Sequence, residues 1–400
     1  MADRAAGEPP LVLVANARMP SARAQSVQLC RAAQAFHDLG ADTTVVHARR
    51  RDTPHRPAAE VWGALASTPG AAPRRGWPAL EAVPCVDWID AVPRALQFVP
   101  ARLQEWTFGR AAARAVRSRH GDARVLVRDL EAAVELRGRR GVALELHRVP
   151  GGEVRRRWLA RCVAAGQPVV AISGGVRADL EALGVPADRI TVEHDAHDPA
   201  ASAALPGRAE ARAALGLEPD EEVILYAGGL LRWKGVDVLV DAARAGALGG
   251  ATVLVVGGMD ADVAALRGRA DGVPSVRVLG HRPAHEVPTF LAAADVGVVP
   301  NRRTPRISSH HTSPLKVFEA MASRLPLVVS DLPSLRDVLA PDEAVFVEPE
   351  SVDALGAGVR RLLDDPSGRA AMAERAHETV RAHTWGARAR RILTFMEALA

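Results

Sequence analysis

EVILYAGGLLRWKGVDVLVDA, residues 222–242, carries the decisive reading of this chain. An apolar run enters a Gly228–Gly229 turn, and a new helix begins after Lys234–Gly235. A short buried strand feeding a helix through glycines is the unit of a parallel sheet covered on both faces. Working outward, ATVLVV (251–256), SVRVL (275–279), DVGVV (295–299) and PLVVS (326–330) repeat the strand pattern. Helices are expected between them, near 236–247, 260–270, 284–293, 314–322 and 351–364. The first half alternates in the same way. LVLVA (11–15), TTVVH (43–47), RVLVR (124–128), VALEL (142–146) and PVVAI (168–172) read as strands. Helices are expected near 21–39, 101–119, 129–138 and 153–165.

Two such halves, joined by DPAASAALPG (198–207), predict an α/β chain of two Rossmann-like domains with a cleft between them. Four hundred residues suit two domains of about 200 each. Residues 52–84, rich in Pro, Gly and Ala and holding Trp62 and Trp77, interrupt the pattern. They read as a long excursion near the cleft, either facing an acceptor or forming a plain surface loop.

Only two of the 51 Lys and Arg residues are lysines, Lys234 and Lys316, and both fall where a strand meets a helix. A composition that replaces Lys by Arg wherever a generic charge suffices leaves lysine where a compact ammonium is needed, as against one phosphate oxygen. In SPLKVFEAMA (313–322), Ser313 and Pro314 read as an N-cap and a first-turn proline. The amides of Leu315 and Lys316 then point at an anion, and Glu319 lies one turn further, placed to accept from ribose hydroxyls.

The bulk properties exclude several classes. No run of 18 apolar residues is present, so no transmembrane helix is expected, and MADRAAGEPP lacks a signal-peptide core. Cys30, Cys85 and Cys162 are odd in number and far apart, which predicts a reducing, cytoplasmic setting. Arginine runs at 49–51, 137–140 and 155–157 invite a nucleic-acid reading. A net charge of only +4, 4% aromatics and a single tyrosine favour a solvated arginine surface, and no nucleic-acid partner is expected. GEVRRRWLARCVAAG (152–166) can form a basic amphipathic helix, so a membrane surface is a possible but disfavoured partner, a helix packed on the sheet being preferred.

LYAGGLLRWKGVDVLVDA, followed some 80 residues later by TSPLKVFEAMASRLPLVVSDLPSLRDVL, resembles the retaining glycosyltransferase family 4, also described as glycosyl transferases group 1, of GT-B fold. The resemblance implies two Rossmann-like domains facing across a cleft: an acceptor-side domain over 1–200 and a nucleotide-sugar domain over 201–382. HTWGARARRILTFMEAL resembles the family's last helix, which implies that 383–400 cross back to the first domain. It further implies that Lys234 grips the donor diphosphate, that Glu319 is the second Glu of an E-x7-E pattern and holds the ribose, and that the 315–316 amides meet phosphate. Gly280 and His281 match a loop near the base, and His147 resembles the histidine beside the donor sugar. Arg232, Gly228, Gly229 and Thr312 complete the expected donor set. The implied co-substrate is a UDP- or GDP-sugar, the acceptor a small molecule or glycan, and no metal or other cofactor is required.

Three positions depart from that pattern. His311 stands where the first Glu belongs, Gly229 replaces the usual Arg, with Arg232 as substitute, and NARMPSARAQSVQ (16–28) replaces a Gly-Gly loop. In that segment Arg18 and Ser21 are expected on the acceptor side, with Ser21 capping the following helix. Asp260-Ala261-Asp262 looks like a D-x-D metal motif, but N-capping and dipole complementarity account for it better. No carboxylate pair suits a double displacement, so departure of the nucleoside diphosphate with same-face attack is expected. Competing readings are a peripheral-membrane transferase with a lipid acceptor, a non-catalytic nucleotide-sugar-binding protein, and a sugar-nucleotide epimerase.

Overall fold

A computed structural model describes residues 9–21, 24–51, 56–65, 75–93 and 96–399. Seven parallel strands build the first sheet: β1 (Leu11–Ala15), β2 (Thr43–Ala48), β3 (Ala79–Val83), β4 (Arg124–Val127), β5 (Val142–Leu146), β6 (Val169–Ala171) and β7 (Ile190–Val192). Their order is β3-β2-β1-β4-β5-β6-β7. Six more build the second: β8 (Val223–Ala227), β9 (Thr252–Val256), β10 (Val276–Gly280), β11 (Val296–Val299), β12 (Leu327–Ser330) and β13 (Val345–Val347), in the order β10-β9-β8-β11-β12-β13. In each sheet the winding direction reverses beside the first strand, at β1/β4 and at β8/β11. Loops leave the carboxyl ends of the two strands in opposite directions there and open a crevice. Strands such as β5 and β9 are buried on both faces, as helices on both sides require.

β3, β7 and β13 are not legible as strands in the sequence, and neither is the helix Pro366–Val380. β3 lies inside the 52–84 excursion, whose described residues also form the helix Ala58–Leu65. Trp62 is buried, donates to the Pro78 carbonyl at 2.8 Å and stacks on Trp77 with ring centroids 6.5 Å apart. That segment therefore closes the edge of the first domain, and Trp62 belongs to its core; residues 52–55 and 66–74 fall outside the described set. The helix Glu153–Ala164 buries Leu159 and Cys162 and packs Trp158 on the core, so the middle of its apolar side lies against the sheet, while Val154 at its start stays exposed.

The chain crosses between the domains twice. The first crossing follows β7, and the second leads into the final helix, Trp385–Ala398. Trp385, Ala389, Ile392, Leu393 and Met396 are buried with Leu29, Phe36 and β1 in one core of the first domain. The two crossings are zipped together. His197 N–H donates to the His383 carbonyl at 2.9 Å, Trp385 N–H donates to the His197 carbonyl at 3.2 Å, and His197 and Thr384 form a parallel bridge.

Candidate functional site

The second domain brings both lysines to the end of β8. Gly228 turns there at φ 145°, and a Cβ on it would lie 3.0 Å from Lys316 Nζ, so only glycine lets that ammonium pass. A short 3-10 turn, Arg232–Lys234, follows, closed by Gly235 at φ 67°. A Cβ on Gly235 would meet the Pro300 carbonyl at 1.9 Å, so the turn is pinned against the chain leaving β11.

Lys234 is half-buried with Nζ 3.9 Å from the Trp233 ring centroid. Burial pushes its ammonium down to about 8, while Asp195 pulls it back up. Lys316 Nζ sits 3.7 Å from the centroid of Tyr226, the chain's single tyrosine, and has no hydrogen-bond partner among the described residues. Burial and the charge of Lys234 hold it well below the usual lysine range. A desolvated cation without a partner is costly, and two that repel one another are costlier. The pair is a ready seat for a polyanion. One turn along the helix Leu315–Ala322, Glu319 is half-buried and its carboxyl is pushed up by burial. It walls a narrow cavity of about 30 Å³ with Arg31, His197, Ser202 and Pro288.

Across the cleft, His147 follows β5, and its Nε2 lies 2.7 Å from a Glu145 carboxylate oxygen and against the Arg128 guanidinium. Glu145 is buried at 2.9 Å from Arg128 and 3.3 Å from Arg388 of the final helix. Arg128 also donates to Gln28 at 2.6 Å, and Gln28 bonds Asp195 beside Lys234. Burial and the Arg128 charge push the His147 imidazole down to about 4, so the ring is neutral near pH 7. Arg128, Glu145, Asp195, Gln28 and Arg388 were not singled out in the sequence. An acid in the middle of the buried strand VALEL was the one available signal.

The remaining predicted residues divide. Arg232 is exposed and pairs with no described acid, leaving it open to an anion. The Gly229 carbonyl accepts from the Tyr226 hydroxyl at 2.6 Å. Gly280, at φ 77°, accepts from Gly257 N–H at 2.7 Å, and His281 beside it is exposed. His311 is committed elsewhere: its Nε2 lies 2.7 Å from Asp179 of the first domain, which also binds Arg306 at 2.8 Å. Arg306 and His311 hold the Asp179 carboxyl at about 2. Ser313 is not the N-cap. Its hydroxyl accepts from the Asp195 amide at 2.8 Å across the domain boundary, and Pro314 takes the cap position without a side-chain bond. Thr312 is half-buried, and Leu315 packs on the core of the first domain. Arg18 offers its carbonyl to Ser26 at 2.9 Å; Ser21 borders residues outside the described set, so its capping role lies beyond them. Asp260 and Asp262 lie in the first turn of their helix, where they complement its dipole, but Met259 occupies the cap. Among the described residues no three His, Cys, Asp or Glu converge as a metal set, and no helix is long and apolar enough to cross a membrane.

Two facing Rossmann-like domains with a final helix returning to the first define the GT-B class of architecture. Residues 207–379 match the family model of the glycosyl transferases group 1. The chain is similar to a D-inositol 3-phosphate glycosyltransferase of Kineococcus radiotolerans, 30% identical over 57% of this chain and 56% of that one. It is also similar to the alpha-D-kanosaminyltransferase of Streptomyces kanamyceticus, 28% identical over 42% and 43%. These matches span about half the length of each relative. In fold it resembles sucrose-phosphate synthase of Thermosynechococcus elongatus, with a TM-score of 0.76 at 20% identity over 98% of this chain and 99% of that one. Anabaena Alr3699/HepE in complex with UDP-glucose gives 0.72 at 15% identity over 98% and 100%.

Proposed function

We propose that the protein is a retaining, metal-independent glycosyltransferase that moves a sugar from a UDP- or GDP-sugar to a hydroxyl of a small-molecule or glycan acceptor. The observation that carries this reading is the pair of desolvated lysines at the β8 crevice, with Lys316 unpartnered beside Gly228. A nucleoside diphosphate supplies the missing negative charge, and Glu319, one turn along the helix from Lys316, accepts from its ribose hydroxyls in this reading. The names of the relatives and the UDP-glucose complex of the Anabaena protein support a nucleotide-sugar donor.

In this reading the bond between the anomeric carbon and the diphosphate oxygen breaks while the acceptor oxygen attacks from the same face. The acceptor proton passes to the departing phosphate oxygen. Lys234, Arg232 and the 315–316 amides hold the charge that develops there; one such donor removed costs about 2.7–4 kcal/mol of barrier. His147, neutral near pH 7, can orient a sugar hydroxyl but cannot act as a cation.

A thermal-shift panel of nucleotides and sugar nucleotides tests this, with Lys234→Ala and Glu319→Ala beside the native chain. Ligand at about 100 times its dissociation constant adds about 2.7 kcal/mol. One nucleoside diphosphate should stabilise the native chain and neither variant. No shift with any nucleotide refutes the reading, and product anomericity by NMR tests retention separately.

A further inference from the structure

The helix Phe98–Arg119 turns an uncommon face to solvent. Phe98, Arg102, Trp106, Arg110, Arg114 and Arg117 are all exposed, and at 100° per residue they fall within an arc of about 160°. Arg102 lies 5.4 Å from the Phe98 ring centroid and Arg110 lies 4.9 Å from that of Trp106. No acid lies on the arc. Glu105 borders it and is occupied by Arg102 at 2.6 Å and Arg155 at 3.4 Å. Arg110 and Arg114 pair with no described acid.

Apolar side chains gather at the N-terminal end of this face. Trp88, Leu96 and Val99 are 50%, 63% and 69% exposed, and Val154 of the neighbouring helix is 60% exposed. Val86 N–H donates to Thr107 Oγ1 at 3.0 Å, and Arg155 reaches Glu105, so the flanking segments abut the helix. With Phe98 and Trp106, six of the nine large hydrophobic side chains exposed among the described residues sit in this one corner. Such crowding marks an interaction surface, whereas scattered single residues would not. On the inner side of the helix Gln104 bonds Asn16 at the end of β1, at 3.0 and 2.7 Å, so the apolar end lies at the carboxyl edge of the sheet, on the cleft rim.

We propose that this face docks the protein on an anionic lipid bilayer, with Phe98, Val99, Trp106, Trp88, Leu96 and Val154 entering the headgroup boundary and the arginines meeting lipid phosphates. Aromatic and aliphatic side chains bracketed by arginine are the chemistry of an interfacial helix. Nucleic acid, the other polyanion, gains nothing from Leu96, Val99 or Val154, which have no ring to stack. Docking sets the carboxyl edge of the first sheet, and with it the cleft rim, against the membrane. It stands on surface chemistry alone and does not depend on the glycosyl-transfer reading.

Flotation of the full chain with phosphatidylglycerol-containing vesicles at low salt, against pure phosphatidylcholine vesicles, tests it. Binding to the anionic vesicles alone is expected. Each arginine near such a surface contributes a factor of about five, so Arg110→Ala/Arg114→Ala should weaken partitioning ~30-fold. Phe98→Ser/Trp106→Ser should abolish it, and Arg381→Ala on the second domain should leave it unchanged. All these positions are exposed, and circular dichroism checks that the variants fold. Absence of flotation, native-like flotation of both double variants, or tighter capture by single-stranded DNA with the same mutational dependence overturns the proposal.

Discussion

Replacing Lys234 by methionine should make the empty protein more stable while destroying its nucleotide response. Methionine keeps the unbranched stem over Trp233 and deletes only the ammonium. Burial takes that ammonium from its ordinary 10.5 to about 8, a gap worth about 3 kcal/mol at about 1.4 kcal/mol per pH unit. Loss of the contact with the Trp233 ring returns roughly 0.5–1 kcal/mol, leaving a net gain of about 2–3 kcal/mol. Below pH 8 both the folded and unfolded chains hold the proton, so the folded chain bears the full penalty. Between about 8 and 10.5 the unfolded chain binds a proton that the folded chain has released, and the penalty fades as pH rises. The gain from Lys234→Met should therefore be complete at pH 7 and largely gone by pH 10.5. Urea unfolding at both pH values, with and without the stabilising nucleoside diphosphate, reads the effect. A variant less stable than the native chain at pH 7, or one that keeps its nucleotide shift, refutes the account of Lys234 as a desolvated cation awaiting a diphosphate.

Other consequences are open to test. In steady-state assays kcat/KM should fall as pH rises through about 8, where free Lys234 loses its proton, and Lys234→Arg should move that limb upward; an unmoved limb assigns it to another group. Lys234→Ala should lower turnover at least about 100-fold in a protein with native circular dichroism. Arg388→Met leaves Glu145 with one buried cation fewer and the His194 carbonyl without its donor at 2.9 Å. It should cost about 3–5 kcal/mol by urea unfolding. Gly235→Ala forces a Cβ onto the Pro300 carbonyl at a left-handed φ, and should abolish nucleotide binding and lower the melting temperature.

Strands announced themselves where they are central. β1, β4, β5, β8, β9, β11 and β12 are mostly apolar because helices cover both faces, and each was legible within a residue or two. β3, β7 and β13 are three to five residues long and lie at sheet edges, β3 with one end exposed, so no sustained apolar run marks them. The glycine turn and both lysines were also legible, because their chemistry is local: a backbone at positive φ needs glycine, and composition alone isolates two ammonium groups. The partners of His147 and His311 were not legible. Arg388 lies 243 positions beyond Glu145, and Asp179 lies 132 before His311. The approach of the two domains makes the His311 pair, and the return of the final helix to the first domain makes the Glu145 pair. Ser313 illustrates the same limit, since a serine before a proline at a helix start reads as a cap until an amide from another domain, here that of Asp195, claims its oxygen.

The double crossing has a consequence for synthesis. The second domain is one uninterrupted stretch of chain, whereas the first is split, its core holding Leu29 and Phe36 from near the start and Ile392, Leu393 and Met396 from the last helix. A growing chain can therefore complete the second domain while the first still exposes the apolar groove that Trp385–Ala398 will fill. The first domain reaches its final form only when residues 385–398 leave the ribosome and close it, and the zipper from His197 to Thr384 forms in the same step.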